Sequence, residues 1–181
     1  MRAVAAIKVL HSWDMRGKYL YTRADLGLLF DERGQTLRST IRRLRSDGVL
    51  DRVANGMYRY SLTSQRQRWA AHDLAVLLRS GEYVYESLES AASQWGFISQ
   101  VPLGRLMCVT TGASGLVDCF GDFQIEFVHR DLSADQLRGR TVSREPATSL
   151  PIATREASLE DMLTCPDRSV ELIDWEEVDD D

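Results

Sequence analysis

TLRSTIRRLRSDGVLDRVANGMYRY, residues 36–60, joins the pattern of an amphipathic helix to the pattern of a tight hairpin. On a helix of about 3.6 residues per turn, Leu37, Ile41 and Leu44 fall on one side. The other side is polar and basic, and it carries Arg38, Ser39, Arg42, Arg43, Arg45 and Ser46. The pattern predicts a helix that packs through its apolar side and exposes its arginines.

Two short strands are predicted directly after this helix. Gly48 ends the helix, because glycine readily adopts the left-handed conformation found at helix ends. Val49 to Val53 alternates apolar and polar residues, as a half-buried strand does. Asn55-Gly56 is a strong two-residue turn signal, since both residues tolerate positive φ, and Met57 to Tyr60 supplies the returning strand.

Two further helices are predicted before residue 36. Residues 3–13 carry apolar side chains near helical spacing, and Thr22 is placed to cap a helix from Arg23 to Phe30. A short polar turn then leads to the third helix, for which Thr36 is the expected N-cap. The order helix, helix, helix, hairpin predicts a winged helix-turn-helix over residues 1–64.

Residues 65–181 have the pattern of a small mixed α/β domain, so the expected fold class is α/β (α+β), with a winged helix-turn-helix first. Six of the last eight residues are acidic, which predicts a solvated tail after a region of loops. The predicted helices of this domain are Trp69–Arg79, one starting at Ser87, and Thr154–Leu163. The predicted strands are Leu106–Thr110, Gln124–His129 and a short strand around residues 116–120.

Charge is distributed unevenly along the 181 residues. The first 68 residues hold 14 Lys and Arg against 6 Asp and Glu, whereas the remaining residues hold 8 against 21. The formal charges are therefore +8 and -13, although the whole chain has only -5. This asymmetry indicates that the first part meets a polyanion and that the second part avoids it or meets something basic.

Composition argues against several other classes of protein. No apolar run approaches the roughly 20 residues of a membrane span, and no secretory signal is present, so we expect a cytoplasmic protein without a membrane partner. The three cysteines are widely spaced and form no Cys-x-x-Cys pair, so neither a disulfide framework nor a metal site is expected. We also find no nucleophile elbow and no phosphate-binding loop, and we expect no catalytic residue and no cofactor.

A nuclease is the alternative that the acidic residues raise. Asp118 and Glu126 lie on or beside neighbouring predicted strands, where two carboxylates can hold magnesium. However, Glu126 is followed by Phe127-Val128 rather than by the lysine that such nucleases use. The sequence therefore disfavours this activity.

The basic helix has two interpretations. Arginine is a good helix former, and a charged exposed side is common on helices of every function. The neighbouring helix, the Asn-Gly turn and the charge of +8 favour an interface with double-stranded DNA. In this interpretation Ser39, Arg42 and Arg43 approach base edges in the major groove. The other predicted DNA-binding residues, mainly for phosphates, are Arg38, Arg45, Arg52, Asn55 and Arg59.

Three stretches resemble the AbiEi family of antitoxin-type transcriptional regulators from bacterial type IV toxin-antitoxin pairs. They are the hairpin Leu50–Tyr60, the segment YESLESAASQWGF at Tyr85–Phe97, and IATREASLEDML at Ile152–Leu163. The resemblance implies a repressor that binds repeats in its own promoter through the winged helix. It also implies a second domain that counteracts a partner toxin of nucleotidyltransferase type. The alternative is an antitoxin that grips its toxin directly and uses the winged helix only as a scaffold.

Overall fold

The computed structural model describes residues 1–65, 70–99, 103–143 and 149–179. The chain divides into two compact units, one of Met1–Arg68 with Cys119–Gly121 and the other of Trp69–Asp118 with Asp122–Asp181. Over the described residues there are eight α-helices and two sheets, so the fold is a mixed α+β one. No helix in the described part of the chain combines the length and apolarity needed to span a bilayer.

The first unit consists of three helices and a small antiparallel sheet. Strand β3 lies in the middle of this sheet, between β1 and β2. The helices bury a shared core that includes Leu10, Leu26, Ile41 and Leu44. The elements are α1 (Ala3–Asp14), β1 (Leu20–Thr22), α2 (Arg23–Phe30), α3 (Gly34–Ser46), β2 (Leu50–Ala54) and β3 (Met57–Tyr60).

The start of α2 agrees with the prediction, whereas the start of α3 does not. Thr22 accepts a hydrogen bond from the Asp25 backbone N–H, and the Asp25 side chain accepts one from the Thr22 backbone N–H. The predicted cap at Thr36 is wrong, because α3 begins at Gly34 and Thr36 lies within its first turn. Positive φ angles of 50° at Asp31 and 55° at Gly34 let the chain turn into α3 sooner than expected.

The hairpin strands lie close to their predicted positions. Strand β2 begins at Leu50 rather than Val49, because the Val49 backbone N–H is bonded to the Leu44 carbonyl at the end of α3, at 2.8 Å. In α1, Ala6 and Leu10 are fully buried, whereas Val4 is exposed. The three predicted helices and the hairpin keep their order, and the structure adds β1 between α1 and α2.

The second unit is a six-stranded sheet with helices packed on it. The sheet has the strand order β6-β7-β5-β4-β9-β8, with β5–β7 and β4–β9 parallel and β4–β5 and β8–β9 antiparallel. Its elements are α4 (Ala70–Leu78), β4 (Val84–Glu86), α5 (Leu88–Trp95), β5 (Arg105–Thr110), β6 (Gly115–Cys119), β7 (Phe123–His129), α6 (Ala134–Leu137), β8 (Thr141–Val142), β9 (Ile152–Ala153), α7 (Arg155–Thr164) and α8 (Trp175–Asp179). Thr154, the first residue of the helix predicted over Thr154–Leu163, is the N-cap of α7 and accepts a hydrogen bond from the Ala157 backbone N–H. Trp69, predicted to start the first of these helices, lies outside the described residues.

Two expectations about the last third of the chain are wrong. Residues after Arg130 were expected to be mostly loop, yet β8 and β9 extend the sheet there. The stretch expected to be a solvated acidic tail includes α8, and Val178 on that helix packs against the core of the second unit together with Ile173. The reason is that apolar residues are interspersed among the acids, so that Val178 packs on the core while Asp174, Glu176 and Glu177 are exposed.

Asp161 is the polar centre of the second unit. Its carboxylate is fully buried and accepts hydrogen bonds from the Tyr85 hydroxyl at 3.0 Å and the Ser87 hydroxyl at 2.6 Å. It also pairs with the guanidinium groups of Arg130 and Arg140. These bonds satisfy a charge that would be costly to bury alone, and they join α7 to β4.

Candidate nucleic-acid interface

Helix α3 separates its buried and basic residues as its sequence pattern predicts. Leu37, Ile41 and Leu44 are buried, and so is Thr40, whose position on the helix lies beside them. The exposed side carries all five of the predicted helical DNA-binding residues, Arg38, Ser39, Arg42, Arg43 and Arg45.

Three of these arginines form a stripe along the helix. Arg38, Arg42 and Arg45 follow one another at i, i+4 and i+7, so they lie on the same side over two turns. Among residues 1–65, none of the three takes part in an ion pair. Their positive charges are therefore not neutralised by carboxylates of the first unit.

The stripe borders a groove that α3 shares with β2. This α3–β2 groove has a volume of about 460 Å³. Its polar lining contains three guanidinium groups and a single carboxylate. The lining residues are Arg42, Arg45, Ser46, Leu50, Asp51 and Arg52.

The hairpin fixes two of the groove's charged side chains. Arg52 donates from Nη2 to the Asn55 side-chain oxygen at 2.8 Å and from Nε to the Ala54 carbonyl at 3.3 Å. Asp51 accepts a hydrogen bond from Arg59 Nη2 at 2.8 Å, directly across the two strands. The hairpin therefore orients one guanidinium of the groove and occupies its only carboxylate.

Two predicted DNA-binding arginines are already engaged. The Arg59 guanidinium is held by Asp51, and its side chain is only 22% exposed. Arg43 does not line the groove, and its Nη2 donates to the Met1 carbonyl. The structure thus brings Arg42, Arg45 and Arg52 together, leaves Arg38 and Ser39 exposed beside them, and directs Arg43 and Arg59 elsewhere.

Asp51 and Ser46 are groove residues that the sequence interpretation missed. Ser46 was placed on the polar side of α3 but was given no role. Asp51 was missed because its partner depends on the register of the hairpin, which the turn residues alone do not reveal. The alternation of apolar and polar residues along the strand was the only sequence pattern that could have drawn attention to Asp51.

The carboxylates of the nuclease hypothesis have other partners. Glu126 is paired with Arg105 at 3.3 Å and Arg168 at 2.8 Å, and Asp118 accepts from the Gln124 side-chain amide at 2.8 Å. In the described ranges, no group of three or more His, Cys, Asp or Glu side chains is placed to hold a metal ion. The three cysteines are buried and are not joined by a disulfide bond.

Comparison with known proteins shows a similarity in fold to a solved structure. No family model and no curated protein matches the chain. Among solved structures, the chain is similar to the crystal structure of the RV2827C protein from Mycobacterium tuberculosis, with a TM-score of 0.55 and 22% sequence identity. The match covers 86% of this chain and 59% of that one, so this chain spans about three-fifths of the length of the Mycobacterium protein. At this level of identity, the likeness concerns the fold alone.

Proposed function

We propose that the first unit is a winged helix-turn-helix that binds double-stranded DNA, and that the protein is a transcriptional repressor. One observation carries this proposal: the exposed arginines of α3 border a groove completed by a third arginine from the hairpin. Arginine guanidinium groups suit both phosphate oxygens and base edges, and they bind DNA best where no carboxylate neutralises them. The charge of +8 over the first 68 residues supports the same conclusion.

The proposed biological role is that of an AbiEi-type antitoxin. The resemblance of three stretches of sequence supports autoregulation of a toxin-antitoxin operon through repeats in its own promoter. It also supports antagonism of a nucleotidyltransferase-like toxin encoded beside it. We propose that the protein performs this role in the cytoplasm, without catalysis and without a cofactor.

A gel-shift experiment with the upstream DNA of its own gene tests the proposal. The parent protein should retard this duplex at concentrations that leave a scrambled duplex free. The double variant Arg42→Ala and Arg43→Ala should lower the affinity by about tenfold or more at matched salt, since up to two charged contacts are lost. Both side chains lie away from the buried side of α3, so circular dichroism should show an unchanged fold.

Two results would contradict the proposal. Equal retardation of the upstream and scrambled duplexes would remove the claim of sequence-specific repression. Unchanged affinity of the double variant would show that α3 is not the contact surface.

The charge of the second unit supports a second candidate function, direct neutralisation of the toxin. Residues 69–181 carry 21 acids against 8 basic residues, and an enzyme that handles nucleotides or RNA presents a basic cleft. In this alternative the first unit is only a scaffold. The parent protein would then bind the toxin but not the upstream DNA.

A further inference from the structure

We infer that the α3–β2 groove is a phosphodiester-binding site, in which Arg42, Arg45 and Arg52 hold the DNA backbone and none of them reads a base. This inference rests on the proposed DNA-binding function and specifies the chemistry of one part of that surface. It changes the role of Arg42, which the sequence interpretation placed at base edges.

The grouping of the three side chains is the first argument. Arg42 and Arg45 lie one turn apart on α3, whereas Arg52 comes from β2, so the guanidinium groups approach the groove from two different elements. A base-reading side chain projects from the helix surface that enters the major groove. A phosphate can instead be held between two elements of the protein, because its oxygens accept hydrogen bonds from several directions.

Charge within the groove is the second argument. Three guanidinium groups face one carboxylate, and that carboxylate is already bound by Arg59. The C-terminal end of α3 contributes partial negative charge from the helix dipole, which by itself repels an anion. Three arginines offset this repulsion, and the Ser46 hydroxyl adds a donor beside them.

Preorganisation is the third argument. The two bonds from Arg52 to Asn55 and Ala54 hold its guanidinium before any ligand arrives. A side chain fixed in this way loses less conformational entropy on binding than a free arginine. Asn55 thus acts through Arg52, as a positioning residue.

The remaining exposed residues are better placed to read bases. Ser39 lies about two turns before the end of α3, and it does not line the groove. Recognition helices of helix-turn-helix proteins contact base edges mainly with their N-terminal residues. Sequence preference is therefore expected to depend on Ser39 and its neighbours in the first half of α3, and not on Arg42.

Equilibrium binding to two duplexes tests the inference. The probes are the upstream DNA and a duplex of random sequence with the same length, each titrated over a series of salt concentrations. Arg42→Ala, Arg45→Ala and Arg52→Ala should each weaken binding to both duplexes by the same factor, within about twofold. Each should also lower the slope of log affinity against log salt by about 0.9, as loss of one phosphate contact does.

Two variants serve as controls. Lys8→Ala removes one exposed positive charge from α1, outside the groove. It should change the slope of log affinity against log salt less than the three groove variants do. Arg42→Lys keeps the charge and should retain most of the slope, because a phosphate accepts a point charge whereas a bidentate contact to guanine requires the planar fork. Thermal melts of every variant establish that the fold is retained.

The possible results are distinct. If Arg42→Ala weakens binding to the upstream duplex alone, by about 10-fold or more, Arg42 reads a base and the inference is overturned while the proposed function stands. If the parent protein binds neither duplex even at low salt, the proposed function fails and the inference with it.

A measurement without DNA tests the site independently of sequence recognition. In an NMR titration with inorganic pyrophosphate, the side-chain Nε–Hε resonances of Arg42, Arg45 and Arg52 should shift together. Arg16 is the control: it is exposed, lies in the loop after α1 and stacks on Trp13. Its resonance should not shift. Equal shifts of all arginines, or no shift in the groove, would overturn the inference.

Discussion

Asp51 and Arg59 face each other across the hairpin because of an irregularity next to the turn. A regular two-residue turn at Asn55-Gly56 would continue the Ala54–Met57 pair to Arg52 opposite Arg59, which places two like charges together. The structure has a register shift between Arg52 and Ala54, so Asp51 pairs with Arg59 instead. Cross-strand pairs of opposite charge stabilise a hairpin, whereas like charges destabilise it. The shift therefore releases Arg52 toward the groove.

Replacing Asp51 by asparagine should increase affinity for DNA. The substitution removes the only carboxylate of the α3–β2 groove, and one unit charge about 6 Å from a phosphate is worth about 0.7 kcal/mol in water. We expect binding to both a specific and a random duplex to become about threefold tighter in an anisotropy titration. Asp47→Asn, at the exposed end of α3, is the matched control for net charge. Weaker binding by Asp51→Asn would mean that the Asp51–Arg59 pair is needed to shape the hairpin.

At the scale of secondary-structure elements, a buried carboxylate attaches the segment after β3 to α1. Asp14 is fully buried and accepts hydrogen bonds from the Ser64 backbone N–H at 2.9 Å and the Ser64 hydroxyl at 2.8 Å. The Thr63 hydroxyl donates to it as well. Burial alone would raise the pKa of Asp14, but these hydrogen bonds outweigh it and lower the pKa below its ordinary value.

Asp14→Ala should destabilise the first unit by about 3 kcal/mol, because several buried donors lose a charged acceptor. Urea unfolding followed by circular dichroism checks this at neutral pH, with Asp47→Ala as an exposed control expected to stay within about 0.5 kcal/mol.

The same carboxylate predicts a dependence on pH. Its pKa is lower in the folded than in the unfolded chain, so its contribution is complete above the unfolded value of about 3.9. The contribution is lost as the pH falls through the folded pKa. The difference in unfolding free energy between the parent and Asp14→Ala should therefore shrink in acid. A difference that stays constant from neutral to strongly acidic pH would show that the carboxylate's charge is not involved.

Local signals predicted the elements better than their partners. Thr22 and Asp25 lie three residues apart, and both bonds of their cap depend only on that spacing. The side of α3 that is buried follows likewise from the helical period. By contrast, the parallel pairing of β4 with β9 and the bonds from Tyr85 and Ser87 to Asp161 join residues more than 60 positions apart. No local pattern encodes such partners, and for this reason the strands after Arg130 were expected to be loop.

One part of the candidate site follows from local sequence patterns, and another part does not. The exposed arginines of α3 could be predicted because each follows from the helical period alone. The α3–β2 groove could not, because it depends on where β2 lies beside α3 and on the shifted register of the hairpin. Arg59 illustrates the difference, since strand alternation predicts an available side chain, whereas in the structure Asp51 on the neighbouring strand binds its guanidinium.

At the scale of the whole molecule, charge is segregated between two parts of one chain. The first 68 residues include 14 basic residues, whereas the remaining residues include 21 acidic ones. Contact with DNA is therefore expected from the first unit, and a partner of the second unit should carry positive charge. Electrostatic attraction mainly speeds encounter, so lasting affinity also requires an apolar contact surface.

The second unit has such a surface beside α7. A groove of about 320 Å³ is lined mainly by apolar side chains, and the acidic residue Glu156 is exposed at its edge. Leu163, at the C-terminal end of α7, is half exposed there. The groove residues are Phe97, Arg155, Glu156, Leu159, Glu160, Leu163 and Val178.

If the toxin is bound directly, this groove should contribute to the contact. The protein, co-expressed with the product of the neighbouring gene, should then co-purify with it at low salt and in smaller amounts at high salt, because screening of the attraction between acidic and basic surfaces slows encounter. Leu163→Asp should abolish the complex, since it puts a charge on the apolar surface, whereas Thr164→Asp adds the same charge next to it and should be tolerated. If the parent relieves toxicity in cells but forms no complex at either salt concentration, direct binding is wrong. Antagonism would then be indirect, as the resemblance to type IV antitoxins implies.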